Sequence, residues 1–443
     1  MRASHDLSAV SVSFDEANLV PCAGLLPAAV LAQRLDVGGL VEARLRLARH
    51  GANSGAKALT VIGSMLAGGD SIEDTELLRA GALPVLFDDT RAPSTIGTWL
   101  RDFKWHNVRQ FDAVSRELLA RLWAAGAGPA DLGAPLIFDL DSTIVGVFGR
   151  SKQGAAFGYT KVRGYHPQLA SCAETGQVLF SRLRGGAAGA ARGAKSFLTE
   201  TISRIRHAGA TGELTVRADS AFYSKAMLST ATKFGVRFSI TAKQDRKIRA
   251  AIEAIDEQAW EPIPYWLSTP EVSGADVAET SYTCFAGTRD ARTVRLIVRR
   301  VRPTPGSQLA LFTSYDYHAF VTDRTGPMLD IEADHRRHAV VEQTIAELKS
   351  AGLAHLPSGR FTANAAWLAL VAMAHNLGRG VGLLAGGPLH RATAATLRRA
   401  VFTVPGRLVR SARRWRLRLP AGWPWATQFS ISLEAITAIP ARC

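Results

Sequence analysis

The chain has 443 residues, 47% of them hydrophobic, and a formal net charge of +15. Such a chain can bury one large core or two to three ordinary ones without covalent cross-links. Its four cysteines stand far apart with no CxxC or Cys/His cluster, which excludes a structural zinc site and a disulfide framework. The start of the chain does not read as a signal peptide, and the apolar run 365–374 is too short to span a bilayer. We therefore expect a soluble cytoplasmic protein that does not contact a membrane.

Changes in residue pattern divide the chain into five segments. Residues 1–130 are predicted to be helical and to bind DNA ends, although helices that only pack together show the same pattern. Residues 131–250 alternate strands with helices, residues 251–325 form a β-rich insertion, residues 326–380 carry a further helix, and residues 381–443 form a basic region. We predict helices at 40–50, 56–66, 71–79, 94–104, 109–124, 194–207, 224–234 and 335–353, and strands at 136–147, 168–173, 178–183, 214–219, 236–242, 281–286, 293–301 and 309–317.

The second segment has the order three strands, helix, strand, helix, strand. This is the order of an RNase H-like fold, in which the first and fourth strands are neighbours. The predicted class is therefore α/β. We expect an RNase H-like catalytic domain interrupted by a β-rich insertion, with an α-helical amino-terminal region and a basic carboxyl-terminal region.

Three acids are placed so that separate elements would bring them to one point. Asp141 lies in the first strand, Asp219 ends the fourth, and Glu342 lies on the helix 335–353. Acids in apolar strands are costly unless they are paired or bound to metal, and carboxylates from separate elements suit two Mg²⁺ or Mn²⁺ ions that cut phosphodiesters. Asp139 shares the face of Asp141 and is the alternative or supporting acid. Taken singly, an Asp near a strand end is usually a turn cap, and a Glu on a helix is usually solvated.

The helix 335–353 has two distinct sides. Its apolar side is predicted to be buried, and its other side is polar. The buried side carries Val341, Ile345, Leu348 and Gly352, and the polar side carries His335, His338, Glu342 and Lys349.

The end of the chain is strongly basic. From Lys349 onwards there are thirteen Lys or Arg residues and one acid, Glu434. Arginines interleaved with aromatic residues indicate a phosphate-rich partner, although a solvated basic surface has the same composition. The predicted DNA contacts in this region are Arg410, Arg413, Arg414 and Arg416.

Several motifs resemble those of the DDE transposases of bacterial insertion sequences, and the insertion sequence 1380 group in particular. They are Phe138-Asp139-Leu140-Asp141-Ser142-Thr143, Gly158-Tyr159, Gly164-Tyr165-His166-Pro167, Arg217-Ala218-Asp219-Ser220-Ala221-Phe222, Glu342 followed by Lys349, Phe361-Thr362-Ala363-Asn364 and Ala374-His375-Asn376-Leu377. The resemblance covers residues from about 40 to 380.

The resemblance implies roles for residues around the third acid. Lys349 would contact DNA phosphate, and Glu342 would be catalytic. His335 and His338 stand where the hairpin-forming branch of the superfamily has Tyr and Arg, and Arg336 and Arg337 beside them are predicted DNA contacts. A histidine lacks the fixed charge of a guanidinium, so a hairpin-ended intermediate is not implied.

The sequence thus predicts a transposase that nicks the inverted repeats of its own element and joins the freed 3′ hydroxyls to target DNA. The resemblance adds a homodimer that holds two double-stranded ends in a synaptic complex. Two alternatives remain. One is an RNase H-like nuclease or resolvase without strand transfer, and the other is a DNA-binding derivative without catalysis.

Overall fold

The computed structural model describes residues 6–264, 274–302 and 315–442. Its helices are α1 (Leu26–Arg34), α2 (Val37–Arg44), α3 (Ser54–Ala67), α4 (Leu83–Leu86), α5 (Pro93–Arg101), α6 (Trp105–Ala124), α7 (Ala194–His207), α8 (Lys225–Lys233), α9 (Arg246–Glu253), α10 (Met328–Arg336), α11 (Val340–Leu348), α12 (Phe361–Ala385), α13 (Ala394–Leu397) and α14 (Ala426–Ala438). Its strands are β1 (Leu19–Val20), β2 (Leu136–Ser142), β3 (Val145–Gly146), β4 (Ala156–Phe157), β5 (Arg163–Tyr165), β6 (Gln168–Cys172), β7 (Val178–Arg182), β8 (Leu214–Ala218), β9 (Arg237–Thr241), β10 (Glu261–Pro262), β11 (Ala275–Cys284), β12 (Arg292–Val301), β13 (Asp316–Thr322), β14 (Gly406–Ser411) and β15 (Arg414–Arg418).

A nine-stranded sheet forms the centre of the molecule, in the order β10-β11-β12-β13-β9-β8-β2-β6-β7. Strand β2 runs parallel to β8 and antiparallel to β6, and β8 runs parallel to β9. The sequence prediction that the first and fourth strands of this segment are neighbours is confirmed. Their register sets Asp139 opposite Arg217 and Leu140 opposite Ala218, so Asp141 and Asp219 follow at the same edge.

The strands of the β-rich segment extend this sheet. Strand β13 pairs antiparallel with β9, and β12 and β11 continue outward from it. The predicted strand 309–317 lies partly outside the described residues, and the observed strand is Asp316–Thr322. Hydrogen bonding through β9 therefore ties this segment directly to the strands that precede it.

Helix α12 is the centre of the helical part of the molecule. It packs against α1, α3 and α6 from the amino-terminal region and against α14 from the carboxyl-terminal region. The helix is long and apolar enough to cross a membrane, but 94% of its apolar window is buried inside the protein. It is thus the core helix that joins the two ends of the chain.

The prediction of one continuous helix over residues 335–353 is wrong. Helix α10 ends at Arg336, a 3-10 turn follows at Arg337–Ala339, and α11 is followed by a wide turn at Lys349–Leu353 in which Gly352 has φ +110°. The predicted apolar side is confirmed, since Val341, Ile345, Leu348 and Gly352 are all buried.

Three other predicted elements differ from the prediction in extent or in type. The first strand stops at Ser142, and a small sheet in the order β3-β5-β4 follows it. The helix predicted at 40–50 lies at Val37–Arg44, and residues 71–79 form a 3-10 helix at Glu73–Arg79. The helix predicted at 194–207 and the hairpin of β6 and β7 are confirmed.

Candidate active site

The two aspartates of the predicted site lie at the carboxyl ends of neighbouring parallel strands. Asp141 is near the end of β2, where its Oδ1 accepts a hydrogen bond from the Ser142 amide at 2.6 Å. Asp219 follows β8 and caps a short 3-10 turn, with its Oδ1 3.1 Å from the Ala221 amide nitrogen. Parallel pairing aligns strand ends, so the sheet itself sets these two side chains beside each other.

The electrostatics of Asp141 show that all three predicted acids interact. Burial is the main cause that raises the pKa of Asp141 to about 6, and the negative charges of Asp219 and Glu342 raise it further. The Ser142 amide and the nearby His338 act in the opposite direction. Burial also raises the pKa of Asp219, again opposed by His338. Neighbouring carboxyl groups whose pKa is raised in a partly buried site are typical of functional sites.

Glu342 completes this group from the other side. It lies in the first turn of α11, ten residues before Gly352, and its side chain is exposed. The helix turns its apolar side, including Val341 and Ile345, into the core. That packing leaves Glu342 free to face solvent and the two aspartates.

The donor set fits divalent cations by chemistry. Three carboxylates are hard oxygen ligands, and the raised pKa of Asp141 reflects negative charge that a cation would offset. Among the described residues, however, no group of three or more His, Cys, Asp or Glu side chains is spaced to hold a metal ion. The three acids are therefore close enough to interact through charge, without being clustered at coordination distance.

Asp139 is paired and, unlike the half-buried Asp141, almost completely buried. Its two oxygens each accept a hydrogen bond of 2.7 Å from the guanidinium of Arg217, and both side chains are almost completely buried. Nδ1 of His338 lies 2.8 Å from Oδ1 of the same carboxylate. Because a carboxylate oxygen accepts, Nδ1 carries the proton, and the ring is held beside Asp141 and Asp219.

His335 lies elsewhere. Its ring stacks on that of Phe320 with the ring centres 3.9 Å apart. Its Nδ1 lies 2.8 Å from the Ser239 hydroxyl and its Nε2 lies 3.1 Å from the Thr241 hydroxyl. Burial lowers the pKa of His335 to about 3, so the ring is neutral. The structure thus separates the two predicted histidines, with His338 at the acids and His335 in the interface between α10 and the sheet.

His166 stands in the motif Gly164-Tyr165-His166-Pro167 and was not predicted to belong to the site. Its Nδ1 donates to the Ala188 carbonyl at 2.6 Å, and its Nε2 lies 2.9 Å from the hydroxyl of Ser142, the residue after Asp141. Burial lowers the pKa of His166, and its charge interaction reaches Asp219. The usable signal was a histidine two residues before β6, the strand that pairs antiparallel with β2.

Basic side chains surround the third acid. A groove of about 400 Å³ borders Glu342 and His338 and includes Arg336 and Arg299 in its walls. Arg336 pairs with Glu332 at 3.4 Å, and the exposed Arg337 pairs with Asp334 at 3.2 Å.

Lys349 is half-buried in the turn after α11. Within the described chain no hydrogen bond or ion pair engages its ammonium group.

The basic tail forms a β-hairpin. Strand β14 pairs with β15 on one side and with β1 on the other, and cross-strand partners share a face of the sheet. By this register, one face carries Arg407, Arg414, Arg416 and Arg418, all exposed. Arg413 lies in the turn with φ +63°, and the guanidinium of Arg410 lies 5.6 Å from the ring centre of the exposed Trp415.

The family model of the transposase DDE domain group 1 matches residues 3–441. The chain therefore belongs to the DDE transposases of this group. Among solved structures, it is similar to a piggyBac transposase determined by cryo-EM as a synaptic complex with hairpin DNA, with a TM-score of 0.44 and 12% identity over 86% of this chain and 79% of that chain. No curated protein matches the sequence.

Proposed function

We propose that this transposase binds the inverted repeats of its own element, cuts the DNA there and joins the 3′ hydroxyls to target DNA. The observation that carries the proposal is the parallel pairing of β2 with β8, which brings Asp141 and Asp219 to one edge of the sheet in a chain of the DDE family, with Glu342 near enough to raise the pKa of Asp141. The sheet order β7-β6-β2-β8-β9 supports an RNase H-like arrangement for these acids. The motifs around Asp141 and Tyr159 support the insertion sequence 1380 branch.

The acids have a shared role in this proposal. Asp141, Asp219 and Glu342 would hold Mg²⁺ or Mn²⁺, which when bound activates a water or 3′ hydroxyl and stabilises the leaving oxygen. Asp139 and Arg217 keep His338 in place beside the acids. The partial burial of the aspartates strengthens their interaction with a bound cation, because the local dielectric is lower than that of water.

The DNA itself is held by basic residues. Lys349 would contact a phosphate near Glu342, and Arg336 in the groove wall and the exposed Arg337 next to it would contact the DNA backbone. The arginines of the β14-β15 hairpin would bind duplex DNA further away, and the amino-terminal helices would recognise the repeat. We propose that two copies of the chain hold two ends in one complex.

The test is a cleavage assay with the full chain, duplex DNA that contains one end of the element, and Mg²⁺. Asp219→Asn and Glu342→Gln should abolish cleavage while binding of the end is retained. Glu434→Gln, which changes an acid on α14, is the matched control and should cleave normally. Normal cleavage by either active-site variant removes that residue from the site.

Strand transfer needs its own measurement. A pre-cut end with a 3′ hydroxyl should become joined to a target plasmid. Hydrolysis without joining would identify a nuclease or resolvase, and binding without hydrolysis would identify a DNA-binding derivative.

A further inference from the structure

The small sheet β3-β5-β4 and the loops that adjoin its strands carry three aromatic side chains that are largely exposed. Phe148 is 95% exposed, Phe157 67% and Tyr159 80%. These three exposed rings lie within residues 148–159, and grouped exposed apolar side chains mark binding sites more often than isolated ones do.

The backbone under these rings is rigidly held. A Cβ at Gly164 would collide with the Val145 carbonyl, and one at Gly186 would collide with the carbonyls of Gly164 and Ala156. The Arg163 guanidinium donates to the carbonyls of Gly149 at 2.6 Å and Arg150 at 2.7 Å, which fixes the loop that carries Phe148. The rings therefore stand on a packed base, so binding would require little ordering of the backbone.

The charge of the segment indicates the partner. Between residues 142 and 173 there are four Lys or Arg residues and no Asp or Glu. Of these, Arg150 and Lys161 are exposed beside the rings. Aromatic rings with interleaved cations match nucleic acid, because rings stack on bases and cations neutralise phosphates. In a paired duplex the faces of the bases are covered by their neighbours, so rings of this kind suit unpaired bases.

One of the three rings, that of Tyr159, is linked to the acids of the proposed site through the buried His166. The ring of Tyr159 lies 6.1 Å from that of His166. His166 contacts the hydroxyl of Ser142, which follows Asp141. A strand cut at the acids would therefore have its neighbouring nucleotides near the Tyr159 ring.

We propose that Phe148, Phe157 and Tyr159 form a stacking surface for unpaired bases next to the cut phosphate, with Arg150 and Lys161 on the adjoining phosphates. This inference rests on the proposed function, since it takes the bases from the DNA end processed at Asp141. The surface would hold the end open during cutting and joining.

The test compares two probes in the absence of divalent metal. One is a blunt duplex, and the other is the same duplex with an unpaired thymidine arm. The full chain should bind the forked probe more tightly. The triple variant Phe148→Ala, Phe157→Ala and Tyr159→Ala should lose about tenfold or more of that advantage, in line with the stacking of one or more bases. Binding to the blunt duplex should remain within about twofold, because the hairpin arginines are unchanged.

Two variants serve as controls. Phe234→Ala removes an exposed aromatic residue after α8 and should keep the full preference for the fork. Tyr159→Phe keeps the ring and should do the same. A 2-aminopurine in the unpaired arm should be quenched on binding to the full chain and to both controls, and much less on binding to the triple variant.

The inference is overturned if the triple variant prefers the fork as strongly as the full chain does. It is also overturned if the triple variant changes only the oligomeric state, since the surface would then contact protein. Both readouts measure binding alone. A chain that fails to cut DNA in Mg²⁺ would therefore contradict the proposed function, whereas the comparison of forked and blunt probes would still test the stacking surface.

Discussion

The carboxylate of Asp139 and the guanidinium of Arg217 form a two-point ion pair, with both N–O distances at 2.7 Å. The pair joins β2 to β8 in register, and Arg217 also donates to the backbone carbonyls of Asp334 and Arg337. One buried contact thus connects both aspartate-bearing strands to the segment that leads into Glu342. The two acids on the face of β2 therefore differ in role, since Asp139 is neutralised and Asp141 is not.

Asp139→Ala should destabilise the protein by about 3–5 kcal/mol, because it leaves the buried charge of Arg217 without a partner. The measurement is urea unfolding at neutral pH. Glu76→Ala is the matched control, since its ion pair with Arg79 is exposed and should contribute less than about 1 kcal/mol. Equal losses for the two variants would show that the buried pair does not hold the site together.

Local patterns predicted much of the sheet and the acids, because the relevant signals lie within a few residues. The apolar run before Asp141 and the one before Asp219 both specify buried strands, and strand order then makes them neighbours. Helix α7 was found for the same reason, from its apolar spacing. These elements depend on hydrophobic burial, which periodicity reports directly.

The broken helix was missed because the cause is distant in sequence. The 3-10 turn at Arg337–Ala339 lies where the carbonyls of Asp334 and Arg337 accept bonds from Arg217, which is more than a hundred residues earlier. The second break had a local signal, since Gly352 adopts φ +110° and a glycine commonly ends a helix in this way. The small sheet was missed because strands of two or three residues show no periodicity.

The raised pKa of Asp141 predicts a dependence of stability on pH. The pKa is about 6 in the folded protein against an ordinary value of 3.8. The folded state therefore binds the proton more tightly, and this contribution is full below pH 3.8 and is lost as the pH rises through about 6. Without metal, Asp141→Asn should thus raise the free energy of unfolding at pH 7 by about 1–3 kcal/mol, with a much smaller effect near pH 4.

Urea unfolding of the metal-free protein at both pH values measures this difference. Asp330→Asn, which changes an exposed acid in the first turn of α10, is the control and should have little effect at either pH. A loss of stability at pH 7 for Asp141→Asn would show that the carboxylate is compensated in the folded chain.

The glycines under the small sheet predict a packing effect. Gly164→Ala should destabilise the protein by about 1–3 kcal/mol, because its methyl group would displace the Val145 carbonyl and strand β3. Gly189→Ala is the control, since a Cβ there meets no atom within 4 Å. Trypsin should cut the Gly164→Ala variant faster at Arg150 and Lys161 than the Gly189→Ala variant. Equal rates of cutting would show that close packing at Gly164 does not hold the small sheet in place.

The arginine face of the hairpin predicts the salt dependence of DNA binding. Arg414 and Arg416 lie on one exposed face, and each phosphate contact releases condensed counter-ions from duplex DNA. The double variant Arg414→Ala and Arg416→Ala should lower the slope of log affinity against log salt by about one for each arginine. The loss of affinity should be similar for duplexes that contain an element end and for unrelated duplexes, because contacts to phosphate do not depend on the base sequence. Arg289→Ala, at an arginine that is 95% exposed in the turn between β11 and β12, should leave the slope unchanged; an equal drop there would show that the hairpin is not a distinct DNA-binding surface.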